Sequence, residues 1–337
     1  MHSATEREAQ LKAEAEEWAP PTDATSIPFA TEAEVPVLDL GPYLAAAAAG
    51  RAEEAERAVV GLASQLRHSA EVGFFGVIGH GIPQPALDLA LRATAEFHAL
   101  PLSAKMEVAM DAPGSAVGGV GYLPMGNRKL PARSTPNQNA AFIVKRERGP
   151  RNVTLDVMPW PASHPASAFD GPAFRAAIAG CCGQLEALAL EMLPIYARAL
   201  QWELDEVMYN ICMYLFVSIY RCIYIVLAPS GSLLLWRRGL CCAEHRAKAT
   251  AKVSLIEQVR AAFRSPLVRL RASHYPPTPA GEFGIHPHVD TSFFTLLLTD
   301  DPTGLVVHSA ARGAWVYIYI HTCIYIHIYT SHIHIYK

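Results

Sequence analysis

The order of sequence patterns along the chain limits the fold more than any single residue does. Arg51 to Val72 sets Val59, Leu62, Ala63 and Leu66 at spacings of three and four among charged residues, which predicts an amphipathic helix. Ala86 to Leu100 and Phe174 to Leu200 carry the same spacing. Val35 to Leu40 and Gly73 to Gly79 are short apolar, β-branched or aromatic runs that predict strands, the second ended by Gly79, Gly81 and Pro83. Later the pattern changes: Pro266 to Tyr275 and Thr291 to Val307 are rich in strand formers and turn residues. Helices early and strands late predict an α+β fold.

A chain of 337 residues, 51% hydrophobic and 18% charged, can bury a sizeable core. Its formal charge of −3 offers no basic surface for a phosphate backbone, so nucleic acid is excluded as an expected partner and a small molecule takes its place. The 7 cysteines are odd in number and include no Cys-x-x-Cys, which argues against a disulfide framework or zinc knuckle. With no apolar segment in Met1 to Trp18, the expected compartment is the cytoplasm.

Two stretches do not match their surroundings. Met208 to Leu227 reads MYNICMYLFVSIYRCIYIVL, nearly long enough to span a bilayer, yet Asn210 and Arg221 are costly at membrane depth. Residues 207–260 are therefore read as an atypical insertion, explained by retained intron sequence, and no membrane association is expected. Residues 317–337, YIYIHTCIYIHIYTSHIHIYK, consist almost wholly of Tyr, Ile, His and Thr. Their codons all arise from an alternating purine-pyrimidine repeat, so this tail reads as translated simple-sequence DNA.

The chemistry-bearing motif is His288-Val289-Asp290 within SHYPPTPAGEFGIHPHVDTSFFTLLLTDD. Residues two apart on an extended chain point to the same side, so one imidazole and one carboxylate can reach one metal. A further imidazole from elsewhere would complete the facial arrangement that holds Fe(II) and leaves open positions. His286 lies on the same side, but the pattern gives it no ligand role.

The residues around the triplet resemble the plant and microbial Fe(II)/2-oxoglutarate-dependent dioxygenases related to isopenicillin N synthase. SHYPP and GIHPH precede it and TSFFTLLLTDDPTGLVV follows. VPVLDL, EVGFFGVIGHGIP, FHALPLSAK, GGVGYLPMG and NQNAAFIVKRE are similar to the family's N-terminal helical region. The resemblance implies a double-stranded β-helix, or jelly roll, backed by N-terminal helices. It implies Fe(II) bound by His288 and Asp290, with 2-oxoglutarate and O2 as co-substrates. Tyr275 matches a position that helps hold the co-substrate or lines its pocket, and is equally read as a core aromatic. Asn137 and Phe142 match substrate-side positions, for which loop polarity and ordinary packing are the competing readings. Phe293, Phe294 and Leu296 to Leu298 are read as wall and core.

The family pattern also requires a second iron-binding His and an Arg-x-Ser motif downstream of Asp290. Residues 317–337 offer no match for either; His321, His327, His332 and His334 lie in a repeat. The expected organisation is thus a disordered or solvated arm (1–33), an N-terminal helical region (34–206), the insertion (207–260), a partial jelly roll incomplete at its C-terminal end (261–316) and the low-complexity tail (317–337). Unpaired strand edges and impaired oxidation of a small organic metabolite are expected. The alternative is a non-catalytic interaction protein of the same fold.

Overall fold

The computed structural model describes residues 26–68, 74–113, 115–126, 136–147, 152–199, 228–229, 263, 266–277, 284–288, 294–300, 304–309, 312–318, 324–328 and 333–335. The helices are α1 (Gly41–Ala48), α2 (Ala52–His68), α3 (Gln84–Ala99), the short α4 (Leu102–Met106) and α5 (Gly171–Ala199), of which α2, α3 and α5 fall on the expected helical segments. The strands are β1 (Val37–Asp39), β2 (Phe74–Ile78), β3 (Gly121–Leu123), β4 (Ala140–Glu147), β5 (Ala228–Pro229), β6 (Pro266–His274), β7 (Ile285–His288), β8 (Phe294–Leu297), β9 (Leu305–Ser309), β10 (Ala314–Tyr317), β11 (Ile324–Ile328) and β12 (Ile333–Ile335). β2 ends at Gly79, whose φ is +63° and whose added Cβ would lie 2.3 Å from Asp39 Oδ1, so a side chain there would collide with the turn into α1.

Among the described residues three four-stranded sheets form, ordered β1-β2-β11-β8, β10-β9-β12-β7 and β3-β4-β6-β5. Val35, Phe74, Ile285, Leu297, Leu305, Val307 and Val316 bury themselves together, so the first two sheets enclose one apolar interior. That is the jelly roll. A larger core joins α1, α2, α3 and α5 to one face of the third sheet through Phe97, Phe142, Phe174, Val268 and Leu270. α5 is long and apolar enough to cross a membrane, but more than half of its most apolar window is buried inside the protein, as in the core helix of a packed domain.

Two expectations change. The arm does not stay solvated up to residue 33: Ile27 is buried with Val306 and Trp315, and Pro28 and Ala30 exchange backbone hydrogen bonds of 2.8 and 2.7 Å with Tyr317. An exposed β10 edge offers unpaired backbone groups, and the arm satisfies them. The tail likewise pairs with strands it was expected to leave unpaired. β11 lies antiparallel between β2 and β8, and β12 lies antiparallel between β9 and β7. Alternating Ile with Tyr or His is a strand pattern whatever its origin, and unpaired edges accept such a segment. The apolar run 208–227 lies outside the described residues, as does the rest of 207–260 apart from β5, which pairs with the start of β6.

Candidate functional site

β7 carries the first residue of the candidate triplet His288-Val289-Asp290. His288 is its last residue and stands in register opposite Ile333 of β12, which in turn stands opposite Val307 of β9. Ile285, at the start of β7, is 2% exposed within the inter-sheet cluster. Asp290 lies outside the described residues, as do the tail's His321 and His332. Among the described residues no group of three or more His, Cys, Asp and Glu is placed to hold a metal ion. By residue type alone, His288 and Asp290 supply one imidazole and one carboxylate of the kind a facial Fe(II) site uses.

Tyr275 follows β6 directly and is half-buried against the same inter-sheet cluster as Ile285. The end of β6 and the strand bearing His288 thus meet at one apolar interior. Phe142 goes elsewhere. It is fully buried on β4 with ring centroids 5.1 Å from Phe97, 5.3 Å from Phe174 and 5.7 Å from Trp160. A ring so enclosed packs α3 and α5 against the sheet, which is the packing role. Asn137 is buried, and its backbone carbonyl accepts the Gly126 N–H at 3.2 Å. Leu296 joins the helical core and Leu297 the inter-sheet cluster, as wall and core residues do.

The polar side chains that the fold does bring together are ones the motif reading passed over. β6 alternates: Val268, Leu270 and Ala272 enter the helical core, and Arg269, Arg271 and Ser273 take the opposite face. Arg271 is 1% exposed; its Nε donates to Ser273 Oγ at 2.9 Å and its Nη2 to Asn139 Oδ1 at 3.2 Å. Burial, and then the like charge of Arg271, pushes the Arg269 guanidinium below its ordinary value. The signal was present as Arg-x-Arg-x-Ser within an apolar strand, since charges at period two share a face.

Behind β6, His98 of α3 shares a hydrogen bond of 3.0 Å between its Nε2 and the carbonyl of Ala272 and stacks on His274 at 5.3 Å. Burial pushes its imidazole down to about 3, with smaller contributions from the charges of His274, Lys105 and Arg271. It is a neutral packing residue, and its hydrogen bond ties α3 to the strand that displays Arg271.

Comparison with known proteins follows the same division of the chain. Residues 35–165 match the family described as "non-haem dioxygenase in morphine synthesis N-terminal". The chain is 33% identical over 119 residues to the 2-oxoglutarate-dependent dioxygenase eupC of Phoma sp, covering 35% of this chain and 36% of that protein. It is 24% identical over 290 residues to the 2-oxoglutarate-Fe(II) type oxidoreductase hxnY of Emericella nidulans, covering 83% of this chain and 65% of the relative. The chain thus spans about a third of one curated relative and just under two thirds of the other. The crystal structure of a full-length Neurospora crassa protein in complex with alpha-KG and thymine superposes with a TM-score of 0.58 at 17% identity, over 91% of this chain and 82% of that one. At that identity the likeness is one of fold.

Proposed function

We propose that the chain is a 2-oxoglutarate-Fe(II) oxygenase whose jelly-roll interior is the site of oxidation of a small organic molecule, with His288 and Asp290 as two of the iron ligands. The observation that carries this reading is the convergence of the end of β6 at Tyr275 and of β7, which ends in His288, on one inter-sheet apolar cluster. When bound, Fe(II) with 2-oxoglutarate and O2 supplies the oxidising chemistry. The chain's own part is positional. Antiparallel pairing with β12 holds the β7 backbone at His288, Tyr275 lines the approach, and the apolar cluster excludes water from the reacting species.

We further infer that oxidation by this chain is weak. In residues 291–337 the one arginine is Arg312, and its guanidinium is held by the Glu34 carboxylate at 2.5 and 2.6 Å. Thr31 donates to the same carboxylate, which these partners keep below its ordinary value although burial opposes them. Arg312 is thus committed to fastening the N-terminal segment and is a poor candidate for a co-substrate clamp. The same observation favours, as a second reading, a non-catalytic protein of this fold. Cys181 and Cys182 are free and buried, their thiols pushed up to about 12 and about 11 mainly by burial, so neither is a ready thiolate in the proposed reducing, cytoplasmic setting.

The test is an anaerobic calorimetric titration of the full chain with Fe(II), with and without 2-oxoglutarate, beside His288→Ala and Asp290→Ala. Loss of a ligand should weaken iron binding by more than the 10- to 100-fold typical of a change behind the ligands. Succinate formation, followed in parallel, measures how much activity survives. Equal iron binding by wild type and both variants would remove these residues from the site.

A further inference from the structure

Among the described residues, the face of the third sheet turned away from the helices carries positive charge that no neighbouring carboxylate compensates. Register places Arg271 opposite Ile143, Ser273 opposite Ala141 and Arg269 opposite Lys145. Lys145 has Glu147 at 3.5 Å, but among the described residues no carboxylate lies within ion-pair distance of Arg269 or Arg271. Arg271, at 1% exposure, spends two donors on neutral oxygens of Ser273 and Asn139, and its Nη1 has no partner among the described residues. Asn139, at 3% exposure, has no partner for Nδ2, and neither has Arg269 for Nε. Enclosing a guanidinium without an anion is among the costliest arrangements open to a side chain, and unsatisfied donors beside it add to the cost.

We propose that Arg271, with Asn139 and Arg269 beside it, is the binding site for the carboxylate of a small organic acid. A guanidinium presents donors in a planar fork that matches the two oxygens of a carboxylate, and it keeps its charge when buried. Arg271 Nη1 and Asn139 Nδ2 are donors left over after the protein's own acceptors are satisfied, and a carboxylate is an acceptor only. The position suits a ligand of the oxygenase interior. Two residues beyond Ser273 the chain reaches Tyr275, packed in the cluster that holds Ile285 of β7, the strand ending in His288. An acid anchored at Arg271 therefore has its remainder directed along β6 toward the metal motif. The carboxylate belongs either to 2-oxoglutarate or to the compound being oxidised. The proposal rests on the reading of that interior as the ligand site.

The experiment is calorimetric binding to the full chain, without metal, of acetate, phenylacetate and 2-oxoglutarate, with acetamide and phenylacetamide as uncharged counterparts. At least one carboxylate should bind, and its uncharged counterpart at least tenfold more weakly. Arg271→Gln should weaken carboxylate binding about 30-fold or more, as expected when one partner of an enclosed charge pair is removed. Arg271→Lys should recover only part of it. Should Arg271→Gln fail to fold, Asn139→Asp decides: it sets an internal carboxylate on Arg271 and should abolish binding. If only 2-oxoglutarate depends on Arg271, the site holds the co-substrate. If phenylacetate depends on it and 2-oxoglutarate does not, the site selects an acidic substrate. No binding by any carboxylate, equal binding of acids and amides, or unchanged affinity in Arg271→Gln or Asn139→Asp overturns the proposal. His288→Ala separates the two readings, because it should lose iron and keep Arg271-dependent binding.

Discussion

Phe97 is the residue whose truncation should test the packing that supports the site most severely. Its side chain is fully buried on α3, with ring centroids 5.0 Å from Phe174, 5.1 Å from Phe142, 5.3 Å from His98, 5.8 Å from Tyr122 and 6.2 Å from Phe169. One ring thereby joins α3 to β3, β4 and α5. Truncating a buried Phe to Ala costs about 3–5 kcal/mol through lost transfer energy and the cavity left behind. Aromatic pairs add about 0.5–1.5 kcal/mol beyond area, and neighbours so rigidly interlocked cannot collapse into the hole. Phe97→Ala should therefore fall at the upper end, about 5 kcal/mol, a large part of the roughly 5–15 kcal/mol that holds a domain folded. The assay is urea unfolding followed by fluorescence of Trp160, which packs on Phe142, with Phe97→Leu as a smaller truncation expected to lose less. A midpoint that falls with an unchanged slope is the expected result. A loss below about 1 kcal/mol in Phe97→Ala would mean that the aromatic cluster does not bind the helices to the sheet.

Two further outcomes follow from the fold. His98 is held neutral, its folded value of about 3 lying below its ordinary 6.5. The unfolded chain then binds the extra proton, so this contribution to stability is complete above pH 6.5 and is lost as pH falls toward 3, at a slope of at most about 1.4 kcal/mol per pH unit. Urea midpoints measured from pH 7.5 to 5 should fall more steeply for wild type than for His98→Gln, and parallel curves would refute the assignment. Deleting residues 319–337 removes β11 and β12 and uncovers edges of β2, β8, β9 and β7. Light scattering and gel filtration should show aggregation, because long unpaired edges template association; a soluble, equally stable deletion would show that the tail strands contribute nothing to the sheets.

How far the sequence could be read depended on the range over which each signal acts. The helices at Ala52–His68 and Gln84–Ala99 and the strands at Phe74–Ile78 and Pro266–His274 lie close to the ranges that periodicity and turn residues indicated. Phe142 was harder to place. In Ala140–Glu147 both faces are buried over the first five residues, so the apolar run has no alternation to tell which neighbour faces the helices. The tail was harder still, because its composition speaks of a nucleotide repeat while its backbone needs are those of any β-prone segment near an open edge.

Local pattern alone was enough for the α+β class and the ordering of helices before strands, and it singled out His288-Val289-Asp290 as the candidate metal triplet. These are local properties, carried by spacing, turn residues and side-chain type. It took long-range packing to show that the tail strands join two sheets, that Ile27 folds back onto β9 and β10, and that Arg271 is enclosed with no carboxylate beside it among the described residues. Each of those depends on which distant segment covers a strand, and a guanidinium becomes costly only once such a segment has taken its water away.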